Sequence, residues 1–116
     1  MTIHHTKHHN TYVTNLNVTL EKIDASLSSS ETSSLISLQG ALKFNGGGHL
    51  NHTLFWTNLC PADQSELKAD GALAAKIDEC FGSVDAMKQE MSAKSIAVQG
   101  SGWGWLGYNT STGESI

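Results

Sequence analysis

The stretch that decides the fold reads Ser26-Leu27-Ser28-Ser29-Ser30-Glu31-Thr32-Ser33-Ser34, and it is the low-complexity segment of a 116-residue chain. Histidines cluster on both sides of it, at His4, His5, His8 and His9 and at His49 and His52. If two helices fold back at the serines, residues equidistant from the turn become neighbours, and His4 and His52 are centred on residue 28. Facing imidazoles on neighbouring helices are a common way to build metal sites in bundles. The pattern therefore predicts an antiparallel α-hairpin with a metal site.

Apolar residues recur at helical spacing on each side of the turn. The first helix is expected over residues 1–27, with an apolar stripe of Ile3, Val13, Leu16, Leu20, Ile23 and Leu27. The second is expected to begin near Glu31, capped by a serine or Thr32 oxygen, and to stop before Pro61. Inside it, residues 46–48 are all glycine, at a cost of roughly 1 kcal/mol each relative to alanine. We therefore expect a close approach to the backbone, or a bend in the helix.

The second half of the chain begins with a polar connector, residues 61–70, and carries shorter elements. Asp70 is expected to cap a helix over 71–80 that is closed by Gly82. Ser83 is expected to cap another helix that runs to about residue 98.

Residues 103–108 are aromatic and apolar enough for a strand. A turn at 110–113 follows, and residues 114–116 resemble the start of a returning strand. The expected fold is mainly α, an N-terminal α-hairpin followed by the start of a C-terminal α/β domain with two helices and the first strand. The expected domains are 1–60 and 61–116.

Both ends of the sequence fall inside predicted elements. Met1 lies within the amphipathic helical pattern without a capping residue before it, and the partner of the aromatic strand has only begun at residue 116. Because a lone strand cannot satisfy its backbone groups, we expect an internal piece of a longer protein, truncated at the start of its first domain and before the end of its second.

The composition argues against two classes of partner, nucleic acids and membranes. Seven basic residues against eleven acidic ones give a net charge of −4 without a basic run, which argues against nucleic acid. No apolar stretch approaches the roughly 20 residues that a membrane span requires. The two cysteines, Cys60 and Cys80, are far apart and outside any C-x-x-C pattern, as expected of reduced intracellular thiols.

The histidines can be interpreted in two ways. Clustered histidines are often solvated helix surface, but here two clusters lie at matched distances from a turn and next to aromatic residues. Zinc requires four ligands, and a redox iron or manganese site requires imidazoles with a carboxylate and an open position. None of the acidic residues stands at a spacing that completes such a set, so the sequence supplies half a site.

Three motifs resemble those of the iron/manganese superoxide dismutases, in family order and at family spacing. His4-His5-Thr6-Lys7-His8-His9-Asn10-Thr11-Tyr12-Val13-Thr14-Asn15-Leu16-Asn17 resembles the family's first-helix motif. Phe44-Asn45-Gly46-Gly47-Gly48-His49-Leu50-Asn51-His52-Thr53-Leu54-Phe55-Trp56 resembles the second-helix motif. Gln99-Gly100-Ser101-Gly102-Trp103-Gly104-Trp105-Leu106 is similar to the segment that leads into the family's sheet. The resemblance covers the whole chain.

The resemblance implies roles for four residues of the hairpin. Two of the family's metal ligands fall on His4 and His52. His8 takes the place of the histidine beside the ligands near the dimer interface, and Tyr12 that of the tyrosine at the mouth of the substrate funnel. In the family these two residues relay protons and control access. The family's D-x-W-E-H motif, which supplies the remaining aspartate and histidine ligands, does not occur in the 116 residues.

The resemblance also implies an aromatic wall and a metal preference. The wall around the metal falls on Trp56, Trp103 and Trp105. For Trp103 and Trp105, a role as ordinary core aromatics is an equal alternative. Iron enzymes of the family tend to carry the active-site glutamine at the position of Gly48, whereas manganese enzymes have glycine there. Gly48 followed by His49 therefore favours manganese over iron.

The activity that the resemblance implies is dismutation of superoxide to dioxygen and hydrogen peroxide at a single manganese ion. It is expected of the full-length parent protein, and the isolated fragment is expected to be inactive. The resemblance also implies a homodimer or homotetramer, and a mitochondrial matrix location with the cytosol as the alternative. The competing hypothesis is a histidine-rich helical hairpin that only binds metal or acts as an interaction module. The triple glycine and the tryptophan-glycine segment disfavour it, since a simple hairpin needs neither.

Overall fold

A computed structural model of the chain describes residues 1–66 and 71–113. Within them lie four α-helices, α1 (Asn10–Ser28), α2 (Thr32–Thr57), α3 (Ala72–Phe81) and α4 (Val84–Ile96). A π-helical segment, His4–His9, leads directly into α1, and a 3-10 turn, Ala62–Gln64, follows α2. The prediction of a mainly α fold that opens with an α-hairpin is confirmed. The chain divides into two compact units, Met1–Asp63 and Gln64–Ile116.

The hairpin turn closes α1 by backbone hydrogen bonds that cross the serine run. The N–H of Glu31 donates to the Ser26 carbonyl at 2.9 Å and that of Ser30 to the Leu27 carbonyl at 3.2 Å. This pair of bonds is the Schellman pattern of helix ends, which usually places glycine in the left-handed position. Here that position is taken by Ser30, at φ 59°. The serine run therefore makes the turn through its backbone.

The expected serine or threonine cap of α2 is wrong. The cap position is Glu31, and its side chain makes no capping hydrogen bond. The hydroxyls of Ser28 and Ser29 donate instead to the carbonyls of Asp24 and Ala25, at 2.9 Å and 3.0 Å. These serines stabilise the end of the first helix, so their oxygens are directed away from the second.

Small and polar side chains occupy the most buried positions between α1 and α2. Thr19 and Asn45 are buried and satisfy their polar groups on their own helices, donating to the carbonyls of Asn15 at 2.7 Å and Ala41 at 3.0 Å. Helix α2 runs unbroken through its triple glycine, residues 46–48. Four of its large apolar side chains are more than half exposed, namely Ile36, Phe44, Leu50 and Leu54.

The second unit packs α3 against α4 around Ile77, which is 3 % exposed. Gly82 closes α3 in the left-handed conformation at φ 78°, and the Ser83 hydroxyl caps α4 by accepting from the Ala86 N–H at 3.1 Å. Both predictions are confirmed. The cap position of α3 is Gly71, and Asp70, which the sequence suggested, lies outside the described residues.

The predicted strand at 103–108 is not a strand in the described part of the chain. Tyr108 alone forms an isolated β-bridge there. A strand exists only when a second one pairs with it along its length, and residues 114–116, where the return was expected, lie outside the described residues. The predicted turn forms. The side-chain oxygen of Asn109 accepts a hydrogen bond from the Ser111 N–H at 2.9 Å, and the backbone carbonyl of Asn109 accepts one from the Gly113 N–H at 2.7 Å. Among the described helices, none combines the length and apolar character needed to cross a membrane.

Candidate metal centre

The hairpin brings His4 and His52 together across the two helical arms. Their Nε2 atoms lie 3.0 Å apart. His4 belongs to the π-helical segment and is half-buried, whereas His52 lies on α2 and is 3 % exposed. The pairing expected from their equal distance to the serine turn is therefore present in the structure.

The tautomer of His52 follows from one backbone contact. Its Nδ1 lies 2.7 Å from the Gly48 carbonyl oxygen, one turn earlier on α2. Because a carbonyl only accepts, Nδ1 carries the proton, and the Nε2 lone pair points towards His4. Metal-binding histidines commonly hold their second nitrogen in this way. His52 thus presents a nitrogen lone pair at Nε2.

The spacing of the two nitrogens fits a metal ion. Two imidazole nitrogens that each bind a metal at about 2.1 Å, at right angles to one another, are about 3.0 Å apart. The observed 3.0 Å between His4 and His52 is compatible with this arrangement, and it is also the length of an ordinary hydrogen bond between the two rings. The pair supplies neutral nitrogen donors and no carboxylate, so it fits part of a redox-metal site.

His8 and Tyr12 line the pair on the side nearest the solvent. The ligand atoms of His4, His8 and His52 all lie within 4.8 Å of one another, with His8 exposed. The Tyr12 ring is half-buried and lies 5.3 Å from the His52 ring and 5.2 Å from the His8 ring, centre to centre. Both residues predicted to act beside the ligands thus lie there.

Gly48 leaves the space that the Tyr12 ring occupies. A Cβ atom at this position would lie 2.6 Å from Tyr12 Cε1 and 2.7 Å from its Cγ, and closer still to Cδ1. At Gly46 it would meet only Leu16, at an ordinary 3.7 Å, and at Gly47 it would meet nothing within 4 Å. The close approach expected at the triple glycine therefore occurs at Gly48, and nothing in the structure explains the glycine at 47.

Trp56 covers the histidines from α2. Its ring centre lies 5.1 Å from that of His4, in an edge-on arrangement. Its indole N–H donates to Nδ1 of His9 at 2.9 Å, and His9 Nε2 in turn lies 2.9 Å from His49 Nδ1. Trp103 and Trp105 belong to the second unit, where their rings lie 6.0 Å apart, and their part in the aromatic wall stays a prediction.

Burial and mutual repulsion lower the pKa of two of the histidines. The pKa of His4 is lowered from its usual 6.5 by desolvation first, and then by the positive charge that His52 and His8 would carry. The pKa of His9 is lowered for the same reasons, with burial the largest and His49 the next. Only the neutral imidazole binds a metal, so the lowered pKa of His4 favours binding.

Two family models match the sequence, and together they cover most of it. The α-hairpin domain of the iron/manganese superoxide dismutases matches residues 1–60, and the C-terminal domain of the same family matches residues 69–116. The chain belongs to the iron/manganese superoxide dismutase family.

Two relatives in this superoxide dismutase family match nearly all of the chain, whereas the chain covers only part of each of them. It is 56 % identical over 108 residues to a protein of Charybdis feriata named superoxide dismutase [Mn], mitochondrial, and the match covers 93 % of the chain but 47 % of that protein. It is 51 % identical over 107 residues to a Branchiostoma floridae protein of the same name, covering 92 % of the chain and 73 % of that protein. The chain therefore spans about half the length of the first relative.

Neither the helical period nor the family motifs single out His9 and His49, which the structure places beside the histidine pair. On a regular α-helix, His9 lies on the same stripe as His5, next to the stripe that carries His4. The π-helical segment changes this register and buries His9 while leaving His5 exposed. A signal was nonetheless present, because His9 and His49 are centred on residue 29, next to the centre of the His4 and His52 pair.

Proposed function

We propose that the protein carrying this chain is a superoxide dismutase that uses manganese. The observation that carries the proposal is the pair of histidine Nε2 atoms at 3.0 Å, one of them fixed as a lone-pair donor by the Gly48 carbonyl. A bound manganese ion would supply the one-electron chemistry that converts two superoxide anions and two protons to dioxygen and hydrogen peroxide. His4 and His52 would hold the ion together with ligands from outside this chain's hairpin.

Tyr12, His8 and Trp56 surround the histidine pair and would control the approach of superoxide and the delivery of protons. The Tyr12 phenol and the His8 imidazole pack together at the exposed side of the pair, where an anion would arrive. Both side chains can donate or accept a proton, so they are placed to pass protons towards a reacting oxygen. Trp56 shields the inner side and excludes water from the ligands.

Manganese rather than iron is supported by two observations. Both relatives described above carry manganese in their names. In addition, the Tyr12 ring occupies the space where a side chain at position 48 would begin. The glutamine that iron enzymes of the family tend to carry there would have to displace this ring.

The domain boundaries, the oligomeric state and the cellular location are proposed from the same family. We propose that residues 1–60 form the α-hairpin domain and residues 61–116 part of the C-terminal α/β domain, with Trp103 and Trp105 in the aromatic wall. We propose a homodimer or homotetramer, supported by the exposed apolar side chains of α2, since such surface is typical of interfaces. We propose a location in the mitochondrial matrix, and the word mitochondrial in both relatives' names supports the organelle.

The test replaces the matching segment of the Charybdis feriata protein with this chain. The chimera should be purified with manganese bound and should consume superoxide, as followed by the slowing of cytochrome c reduction. His52→Gln in the chimera should remove both metal and activity, whereas His5→Gln should keep both. A folded chimera that holds manganese but leaves superoxide untouched would refute the proposed activity. The alternative of a metal-binding or interaction hairpin is not favoured, because the family match extends to residue 116.

A further inference from the structure

Two imidazole pairs join the arms of the hairpin, and their nitrogen separations are nearly equal. The Nε2 atoms of His4 and His52 lie 3.0 Å apart, and Nε2 of His9 lies 2.9 Å from Nδ1 of His49. In each pair one ring comes from the π-helical segment and the other from α2. The separation therefore does not decide which pair can hold a metal ion. The ring protons decide it, because an imidazole nitrogen binds a metal only through a free lone pair.

Trp56 determines where His9 carries its proton. Its indole N–H lies 2.9 Å from Nδ1 of His9, and an indole nitrogen only donates, so Nδ1 accepts. Burial, and then the positive charge that His49 would carry, lower the pKa of His9, with a backbone hydrogen bond at His49 acting in the opposite direction. The lowered pKa favours the neutral ring that an accepting Nδ1 requires. A neutral imidazole has one N–H, so His9 carries it on Nε2 and donates it to His49.

Both nitrogens of His9 are thereby engaged, and neither offers a lone pair to a metal. His4 differs in this respect. Its bond to His52 is the only side-chain hydrogen bond that it makes within residues 1–66 and 71–113. His4 can therefore move its proton from Nε2 to Nδ1 without facing another N–H, and Nε2 then offers a lone pair beside that of His52.

We propose that Trp56 decides which histidine pair takes the metal, because the hydrogen bond that it donates to His9 excludes the His9–His49 pair. We take His4 and His52 to be the metal ligands, so the assignment rests on the proposed function. Trp56 is a specificity-determining residue in this role, since its N–H bonds to a histidine outside the metal pair. For His9 to bind a metal through Nε2, its proton would have to move to Nδ1 and face the indole N–H. Two opposed donors should weaken binding there by about tenfold or more.

The test uses the metal-free Charybdis feriata chimera with isotope-labelled histidines, and Zn²⁺ is the probe. Zinc binds imidazole nitrogen and has a filled d shell, so the NMR signals of the rings are not broadened by unpaired electrons. Long-range proton–nitrogen spectra show which nitrogen of each ring carries a proton and which binds zinc. Before zinc is added, His9 should carry its proton on Nε2. With zinc in excess, the signals of His4 and His52 should shift, and those of His9 and His49 should stay unchanged.

The variant Trp56→Phe keeps an aromatic ring and removes the indole N–H. Zinc should then also shift the signals of Nε2 of His9 and Nδ1 of His49, at a concentration at least about tenfold below that at which the wild type shows any such shift. His49→Gln in the Trp56→Phe background should abolish this second binding event and keep the first. The matched control is Trp105→Phe, the same substitution in the second unit, which should behave as the wild type at His9 and His49.

Three results would overturn the role of Trp56. They are zinc bound at His9 and His49 in the wild-type chimera, a wild-type His9 with its proton on Nδ1, and a folded Trp56→Phe chimera whose His9 and His49 take up no more zinc than the wild type. Should Trp56→Phe fail to fold, the two wild-type measurements decide. Zinc that never reaches His4 and His52 would instead refute the proposed metal site, and the comparison at His9 and His49 would still decide the role of Trp56.

Discussion

The variant Gly48→Ala tests how closely the Tyr12 ring packs against α2 beside His52. The neighbouring glycines, Gly46 and Gly47, provide matched controls. The added Cβ would lie 2.6 Å and 2.7 Å from two atoms of the Tyr12 ring, whereas carbon atoms attract best at about 3.5–4.0 Å. The ring would have to move back by roughly 1 Å to reach that separation. We therefore expect the Tyr12 ring to leave its place beside His52.

The magnitude follows from two opposed effects. Overpacking of a well-packed site costs about 1–3 kcal/mol, and alanine gains about 1 kcal/mol over glycine within a helix. Gly48→Ala should therefore change the free energy of unfolding by between about zero and −2 kcal/mol. Gly47→Ala meets nothing within 4 Å and should be stabilising by up to about 1 kcal/mol. Gly46→Ala, with Leu16 at 3.7 Å, should behave like Gly47→Ala.

The assay is urea unfolding of the three single variants and the wild type, followed by circular dichroism. Chemical shifts of the Tyr12 and His52 rings report the local displacement at the same time. The expected order of stability places Gly48→Ala lowest, at least about 1 kcal/mol below Gly47→Ala. Equal stabilisation by all three alanines, with unchanged Tyr12 shifts, would refute the close approach of Tyr12 to α2.

Three further outcomes are expected. Ser83→Ala removes the side-chain cap of α4 and should lower the free energy of unfolding by about 1 kcal/mol, whereas an unchanged urea midpoint would show that the cap contributes nothing. Ser30→Gly relieves the left-handed serine at φ 59° and should raise that free energy by up to about 1 kcal/mol; a lower midpoint would contradict this. The metal-free chain should melt at a lower temperature as the pH falls below the usual histidine pKa of 6.5, because the lowered pKa values of His4 and His9 leave the unfolded chain as the better proton acceptor. Scanning calorimetry at several pH values checks this, and a melting temperature that rises on acidification would argue against it.

The hairpin and the meeting of His4 with His52 could be predicted because they depend on spacing alone. An antiparallel pair of helices joined by a short turn maps each residue onto its mirror position, so His4 and His52 meet whatever the details of packing. The family motifs added Tyr12, His8 and Trp56, and the structure places all three around that pair.

The burial of His9 and the hydrogen bonds of the serines could not be predicted in the same way. A regular 3.6-residue period places His9 with His5, and only the π-helical register turns it into the interface. Such π-segments are rare and frequent at functional sites, but apolar periodicity does not reveal them. The serines offered oxygens to both helices, and the sequence alone does not decide which carbonyls or N–H groups they reach. Residues 103–108 could form a strand only with a second strand paired to them, and the local preference of these residues for a strand does not supply that second strand.

We propose that His4 and His52 together hold the metal, along with ligands from outside the hairpin. The test therefore adds substoichiometric Mn²⁺ to the metal-free, isotope-labelled Charybdis feriata chimera and records which NMR signals its unpaired electrons broaden. We expect the ring signals of His4 and His52 to disappear first, those of His8 next, and none of this to occur in His52→Gln. Broadening that begins at exposed carboxylates such as Asp85 and Glu79, with His4 and His52 still sharp, would show that the two histidines do not hold the metal.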